Sequence, residues 1–244
     1  CTISRSDSVP SSSSEPLPAA TPAPTPRTLM EGIAPMPIAS SYITYYAIQT
    51  DGTLIGWGEN LRGLINYPDS LPSYEGAVVM MEDVAAVYAG DWVTLILCSD
   101  GTLWGVGAGL FGLLPERAAT QDAYDPLFLM SDVVMAAVSS ESACALRSDG
   151  TVWSWGGSEG FQPETILEGI EKIAAYSSGH YALDIDGTLY IWGSLLPLEV
   201  DRNECWLTPQ PILEGVTDMA STGRRLLVQK GDSSLWRMGW WEGY

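Results

Sequence analysis

The segment Asp184-Ile185-Asp186-Gly187-Thr188 sets two carboxylates two residues apart, just ahead of a Gly-Thr turn. A carboxylate pair has the chemistry to supply a nucleophile and oxygen ligands for Mg²⁺. Three sister copies of the segment argue against it. They carry Gln49, Cys98 and Arg147 where Asp184 stands, so only the turn is shared. No βαβ pattern surrounds it either. The single histidine, His180, would need a nucleophile and an orienting carboxylate to act as a base. The sequence supplies neither, so a packed or hydrogen-bonded position is expected for it. The recurring Asp of Asp51-Gly52, Asp100-Gly101, Asp149-Gly150 and Asp186-Gly187 has the chemistry of a Ca²⁺ ligand. A calcium loop needs an Asp-x-Asp-x-Asp run, which is absent. Four scattered cysteines and one histidine make no zinc set. Cys98 is expected on a strand edge, partly exposed, and Cys144 packed. A bridge of Cys205 to either stays open. No catalytic, metal or cofactor residue is assigned, and the chain is expected not to be an enzyme.

The elements that would position any site follow from composition and repetition. Thirty Asp and Glu against 11 Lys and Arg give a net charge of −19 over 244 residues. That balance argues against nucleic acid and against anionic membrane surfaces, both of which are bound through Lys and Arg. No apolar run approaches the ~20 residues of a membrane-spanning helix. Hydrophobic residues make up 46% and charged residues 17%, enough for a real core. Residues 1–28 differ: 17 of the 28 are Ser, Thr or Pro and none is aromatic. Such a segment buries too little apolar surface to order itself and reads as a tether. The domain division expected is 1–28 tether and 29–244 folded unit.

Within 29–244 a kernel recurs. An apolar run precedes Asp-Gly, a Leu-, Trp- or Tyr-rich strand follows, and a glycine closes it. The closing glycines are Gly58, Gly107, Gly156 and Gly193, with a worn fifth copy ending at Gly239. Their spacings of 49, 49, 37 and 46 imply a fixed hairpin with variable loops. Asp-Gly is a hairpin turn signal, because glycine takes positive φ without steric cost. Trp104, Trp153, Tyr190 and Trp236 fall on one strand face, and Leu54, Leu103, Val152, Leu189 and Leu235 on the other. Both faces are apolar, so sheets must stack on both sides, as blades do in a β-propeller. Small-residue runs at 84–88, 133–138, 173–176 and 216–220 read as inner strands.

These repeats resemble the regulator-of-chromosome-condensation repeat: an apolar–Ala-Ala run, then Ala-Leu-x-x-Asp-Gly-Thr-Leu-Tyr-x-Trp-Gly. Glu59-Asn60-x-x-Gly63 resembles that repeat's continuation. The family's Gly-x-x-His is mostly lost, and only Gly90 keeps its glycine. His180 sits one position off, so no role passes to it. The resemblance implies a propeller, usually of seven blades, and binding of proteins such as small GTPases, nucleosomes or β-lactamases. Five blades of about four antiparallel strands are expected here. The last copy lacks its closing strand, while Leu29-Met30-Glu31-Gly32-Ile33 matches Ile166-Leu167-Glu168-Gly169-Ile170. The N-terminal segment is therefore expected to complete the last blade and close the ring. The alternative is an open arc left from a seven-bladed ancestor.

The start Cys1-Thr2-Ile3-Ser4 followed by a Ser/Pro tether resembles a processed bacterial lipoprotein. That resemblance implies a lipid on Cys1 and an extracytoplasmic, membrane-anchored location. The expected function is a monomeric, cell-envelope-anchored binding or scaffold module for a protein or surface polymer, with a basic partner favoured by charge. A carbohydrate-processing hydrolase with a carboxylate pair, or a purely structural envelope component, stands as the alternative. Aromatic loop residues are the candidate contacts: Tyr67, Tyr74, Trp92, Phe111, Tyr124, Trp206 and Trp241.

Overall fold

The computed structural model describes residues 38–41, 43–60, 62–65, 72–108, 110–115, 125–157, 160–193, 206–222 and 225–239. They form five antiparallel sheets in chain order. Blade one holds β1 (Ile38–Ser40), β2 (Thr44–Ile48), β3 (Leu54–Glu59) and β4 (Ser73–Met81). Blade two holds β5 (Val84–Ala89), β6 (Val93–Cys98), β7 (Leu103–Gly107) and β8 (Leu127–Met130). Blade three holds β9 (Val133–Val138), β10 (Ser142–Arg147), β11 (Val152–Gly156) and β12 (Glu164–Leu167). Blade four holds β13 (Ile170–Tyr176), β14 (Gly179–Asp184), β15 (Leu189–Gly193) and β16 (Trp206–Leu213). Blade five shows three strands among the described residues: β17 (Val216–Thr222), β18 (Arg225–Lys230) and β19 (Leu235–Gly239). The β-propeller expected from the repeats is the observed fold. The closing strand expected at 29–33 lies outside the described residues.

The core lies in the seams between blades, which explains why both faces of each strand are apolar. Tyr46 and Leu54 of blade one meet Ile96 and Val106 of blade two. Leu95 and Leu103 then meet Ala143, Ala145 and Trp155 of blade three. Cys144 and Val152 meet Ala182 and Trp192 of blade four, and Tyr181 and Leu189 meet Leu226 and Val228 of blade five. Side chains alternate along each strand, so odd and even residues serve opposite seams. The two terminal blades have one seam each among the described residues. Tyr45 and Val79 on blade one and Leu227 and Leu235 on blade five are consequently exposed, against the expectation that both faces are covered.

Hydrogen bonds repeat at each seam. The Gly carbonyl of one Asp-Gly turn accepts from the first amide of the next inner strand: Val84 to Gly52 at 2.8 Å, Val133 to Gly101 at 2.9 Å, Ile170 to Gly150 at 3.0 Å, Val216 to Gly187 at 2.9 Å. The Asp carboxylates serve the turns themselves. Asp51, Asp100 and Asp149 each accept the amide of the Thr two residues on, at 2.9–3.0 Å. The side-chain hydrogen bond from Thr102, with that amide, holds the Asp100 carboxyl below its usual range. In blade four Asp184 accepts the amides of Asp186 and Thr188 at 3.0 and 2.7 Å. The Asp184 carboxylate is thus spent on the turn.

Candidate binding face

Antiparallel strands put two kinds of connection on the same end of every blade. The short turns from first to second strand and the long connections from third to fourth share one rim, here the loop rim. The Asp-Gly turns and the blade-to-blade junctions occupy the other. The Asp-Gly rim carries Asp51, Glu82, Asp83, Asp100, Asp132, Asp149, Glu168, Asp186, Glu214 and Asp232. Its cations are partly taken: Arg147 pairs with Asp132 at 2.7 Å, and Lys172 pairs with Asp218. The Asp-Gly rim is therefore acidic, and the loop rim is where aromatics collect.

Four glycines fix the loop rim. Gly58, Gly107, Gly156 and Gly193 close the third strands with φ between 102° and 134°. A Cβ on Gly107 would lie 2.3 Å from the Trp92 carbonyl oxygen, and one on Gly58 would lie 2.3 Å from that of Ile43. The strand end thus passes directly under the neighbouring turn. Only glycine fits, which is why Gly closes each of these kernels.

That contact seats Trp92 at the head of blade two. The Arg62 guanidinium lies over its ring, 4.0 Å from the centroid, and donates to the Asp91 carbonyl. Ser140 Oγ shares its one proton between the Asp91 carboxylate at 3.1 Å and the Ser177 carbonyl at 2.8 Å. Turns of blades two, three and four are joined this way. Phe111 approaches Trp92 edge-on, ring centroids 6.2 Å apart. It sits in a single 3-10 turn, Leu110–Gly112, at φ 58°, ψ 26°, and is 43% exposed. Left-handed geometry in a bulky residue costs about 1–3 kcal/mol and persists only when its surroundings enforce it. Two contacts enforce it. Trp155 Nε1 donates to the Leu113 carbonyl at 3.0 Å. Gly112 is pressed against Gly160 of blade three, where an added Cβ would lie 2.2 Å from the Gly160 Cα.

Of the residues expected to contact a partner, Trp92 and Phe111 come together here. Tyr74 does not: it lies within β4, buried in the seam of blades one and two, because the strand starts earlier than the sequence suggested. Trp206 opens β16 instead of sitting in a loop. Tyr67, Tyr124, Trp241 and Cys1 lie outside the described residues. Arg62 was missed. Its signal was its place in the Glu59-Asn60-x-x-Gly63 turn, where Asn60 Oδ1 accepts the Ile65 amide at 2.8 Å. Cys98, expected partly exposed, is buried beside Met81 Sδ, and Cys98 and Cys144 are free thiols.

His180 is fully buried between blades three and four. Its Nε2 lies 2.9 Å from Ser142 Oγ and its Nδ1 3.4 Å from Cys144 Sγ, with the ring against Trp192. Burial pushes its pKa down to about 3, so it is neutral in the fold. The unfolded chain takes up this proton below about 6.5. His180 therefore adds no acid penalty above pH 6.5, and stability falls as pH drops from there towards 3. The slope approaches about 1.4 kcal/mol per pH unit. Urea melts between pH 7 and 4 should show a shallower loss in His180→Gln than in the parent protein.

No family model matches the sequence, and no curated protein does. Solved structures match over most of the described blades. Human WBSCR16 superposes with TM-score 0.67 at 17% identity, covering 83% of this chain and 61% of that one. Prp20p, the RCC1 of Saccharomyces cerevisiae, gives 0.68 at 17%, covering 83% and 56%. The ectodomain of the Arabidopsis thaliana receptor kinase ACR4 gives 0.55 at 14%, covering 84% and 69%. At these identities the likeness shows the fold: an RCC1-like β-propeller. The chain spans little more than half the length of the RCC1 structures it matches.

Proposed function

We propose that this propeller is a non-catalytic protein-binding module whose contact surface is the loop rim of blades one and two. The observation that carries the reading is Phe111, an exposed aromatic held in a strained backbone beside the Arg62–Trp92 stack. Strain of this kind collects at ligand-binding segments, and Trp and Arg are over-represented among residues that dominate interfaces. Yeast RCC1 has been solved bound to Kap60, and Prp20p is described with binding properties to Gsp1p and histones. A protein partner for this fold is in keeping with those neighbours. The net charge of −19 favours a basic partner and a salt-sensitive on-rate.

The test of binding is capture of envelope and culture proteins on the immobilised propeller, at low and high salt. Phe111→Gly removes the ring and relieves the left-handed strain. It should leave thermal stability equal or higher while cutting recovery of a stoichiometric partner at least tenfold. Equal recovery by both proteins would place the contact elsewhere.

A further inference from the structure

Each seam repeats one cross-blade pair near the loop rim. Counting back from the turn Asp, the sixth residue of one blade shares a seam with the fifth residue of the blade before it. The pairs are Thr94 with Tyr46, Ala143 with Leu95, His180 with Cys144, and Leu226, counted from Asp232, with Tyr181. Two of these pairs make no hydrogen bond. Leu95 and Ala143 are apolar, and the Tyr181 hydroxyl has no partner among the described residues. Packing closes those two seams, so a polar pair at this place needs another reason.

Both polar pairs lead to the Arg62–Trp92 stack. Thr94 Oγ1 donates to Tyr46 OH at 2.8 Å, and Tyr46 OH donates to the Leu64 carbonyl at 3.2 Å. That carbonyl belongs to the turn carrying Arg62. On the other side, His180 lies between Cys144 Sγ and Ser142 Oγ. Ser142 Oγ is 3.1 Å from Ser139 Oγ, which donates to the Ser142 carbonyl at 3.0 Å and closes the turn of blade three. The next residue of that turn, Ser140, reaches the Asp91 carboxylate, and the Asp91 carbonyl holds Arg62 over Trp92.

One proton arrangement uses every donor of the second relay. The Cys144 thiol donates to Nδ1, Nε2–H donates to Ser142 Oγ, Ser142 donates to Ser139 Oγ, and Ser139 donates to the Ser142 carbonyl. The other tautomer leaves the thiol proton without an acceptor among the described residues. Donors aligned in one direction also polarise and strengthen one another. The geometry points to Tyr46 and His180 as positioning residues for the loop-rim stack. Tyr46 holds the Arg62 turn, and His180, with its proton on Nε2, holds the turn that anchors Asp91. This rests on the loop-rim reading only for what the stack serves.

The chain has one histidine, so nitrogen-15 labelling of histidine reads a single imidazole. The proton should sit on Nε2 at neutral pH, and a proton on Nδ1 would overturn the second relay. Hydroxyl-radical oxidation of Trp92 in the free protein reads the stack, because Arg62 covers that ring. Tyr46→Phe and His180→Leu should each raise its rate about threefold or more. Tyr181→Phe deletes a hydroxyl that has no partner and should leave the rate unchanged. Ser140→Ala should match His180→Leu, and the double variant should go no further, since both cut one relay. His180→Gln keeps an N–H donor and should restore slow oxidation; a rate equal to that of His180→Leu would mean the ring only fills space. Where His180→Leu fails to fold, Ser142→Ala cuts the same link with the ring in place. Unchanged oxidation in folded Tyr46→Phe or Ser142→Ala, an equal rise in Tyr181→Phe, or effects of His180→Leu and Ser140→Ala that multiply would overturn the assignment. No partner enters these measurements, so they can fail while the binding reading stands.

Discussion

Gly107→Ala should cost at least about 4 kcal/mol, a drop in Tm of roughly 10 °C. Two effects add. The residue sits at φ 134°, where an L side chain is strained, and its Cβ would fall 2.3 Å from the Trp92 carbonyl oxygen and 3.0 Å from the Val93 Cα. Both neighbours are backbone where the β5–β6 turn enters β6, so neither can give way as a flexible side chain would. Gly157 separates the two effects. It has φ 78° with nothing within 4 Å of an added Cβ, so Gly157→Ala should cost only about 1 kcal/mol. Urea unfolding of the two variants beside the parent gives the comparison. A small effect at Gly107 would mean that the turn carrying Trp92 does not rest on the strand end.

Arg62→Ala should weaken partner binding by about 30- to 100-fold, equivalent to ~2–3 kcal/mol. Arg62 is exposed, so the fold should lose little. The loss in binding should come from the guanidinium plane that covers Trp92 and ties down the Asp91 carbonyl. Arg62→Lys should not restore affinity, because an ammonium neither stacks flat on the indole nor offers the same fork of donors. Titration by calorimetry at two salt concentrations reads both the affinity and its electrostatic share. Full rescue by Lys would reduce Arg62 to a point charge and remove the stacked surface from the account.

The fold was legible because a propeller repeats its physics. Asp-Gly, the two-sided apolar strand and the closing glycine recur at Gly58, Gly107, Gly156 and Gly193, and each copy corroborates the others. The site was only half legible. Trp92 and Phe111 were visible as aromatics in connections. Tyr74 looked the same and is core, because where a connection ends and a strand begins depends on pairing with β3, not on composition. Arg62 was marked by its place in the Glu59-Asn60-x-x-Gly63 turn alone, since its partner Trp92 lies on another blade. The strain at Phe111 was equally hidden: nothing in Leu110-Phe111-Gly112 announces a positive φ at its centre.

Hydroxyl-radical footprinting of the propeller, with and without its captured partner, decides which rim binds. Leu110, Phe111 and Trp92 on the loop rim should be protected, with Ile185 on the Asp-Gly rim oxidised equally in both states. Protection of Ile185 with Phe111 and Trp92 unchanged would contradict it and move the binding face to the acidic rim.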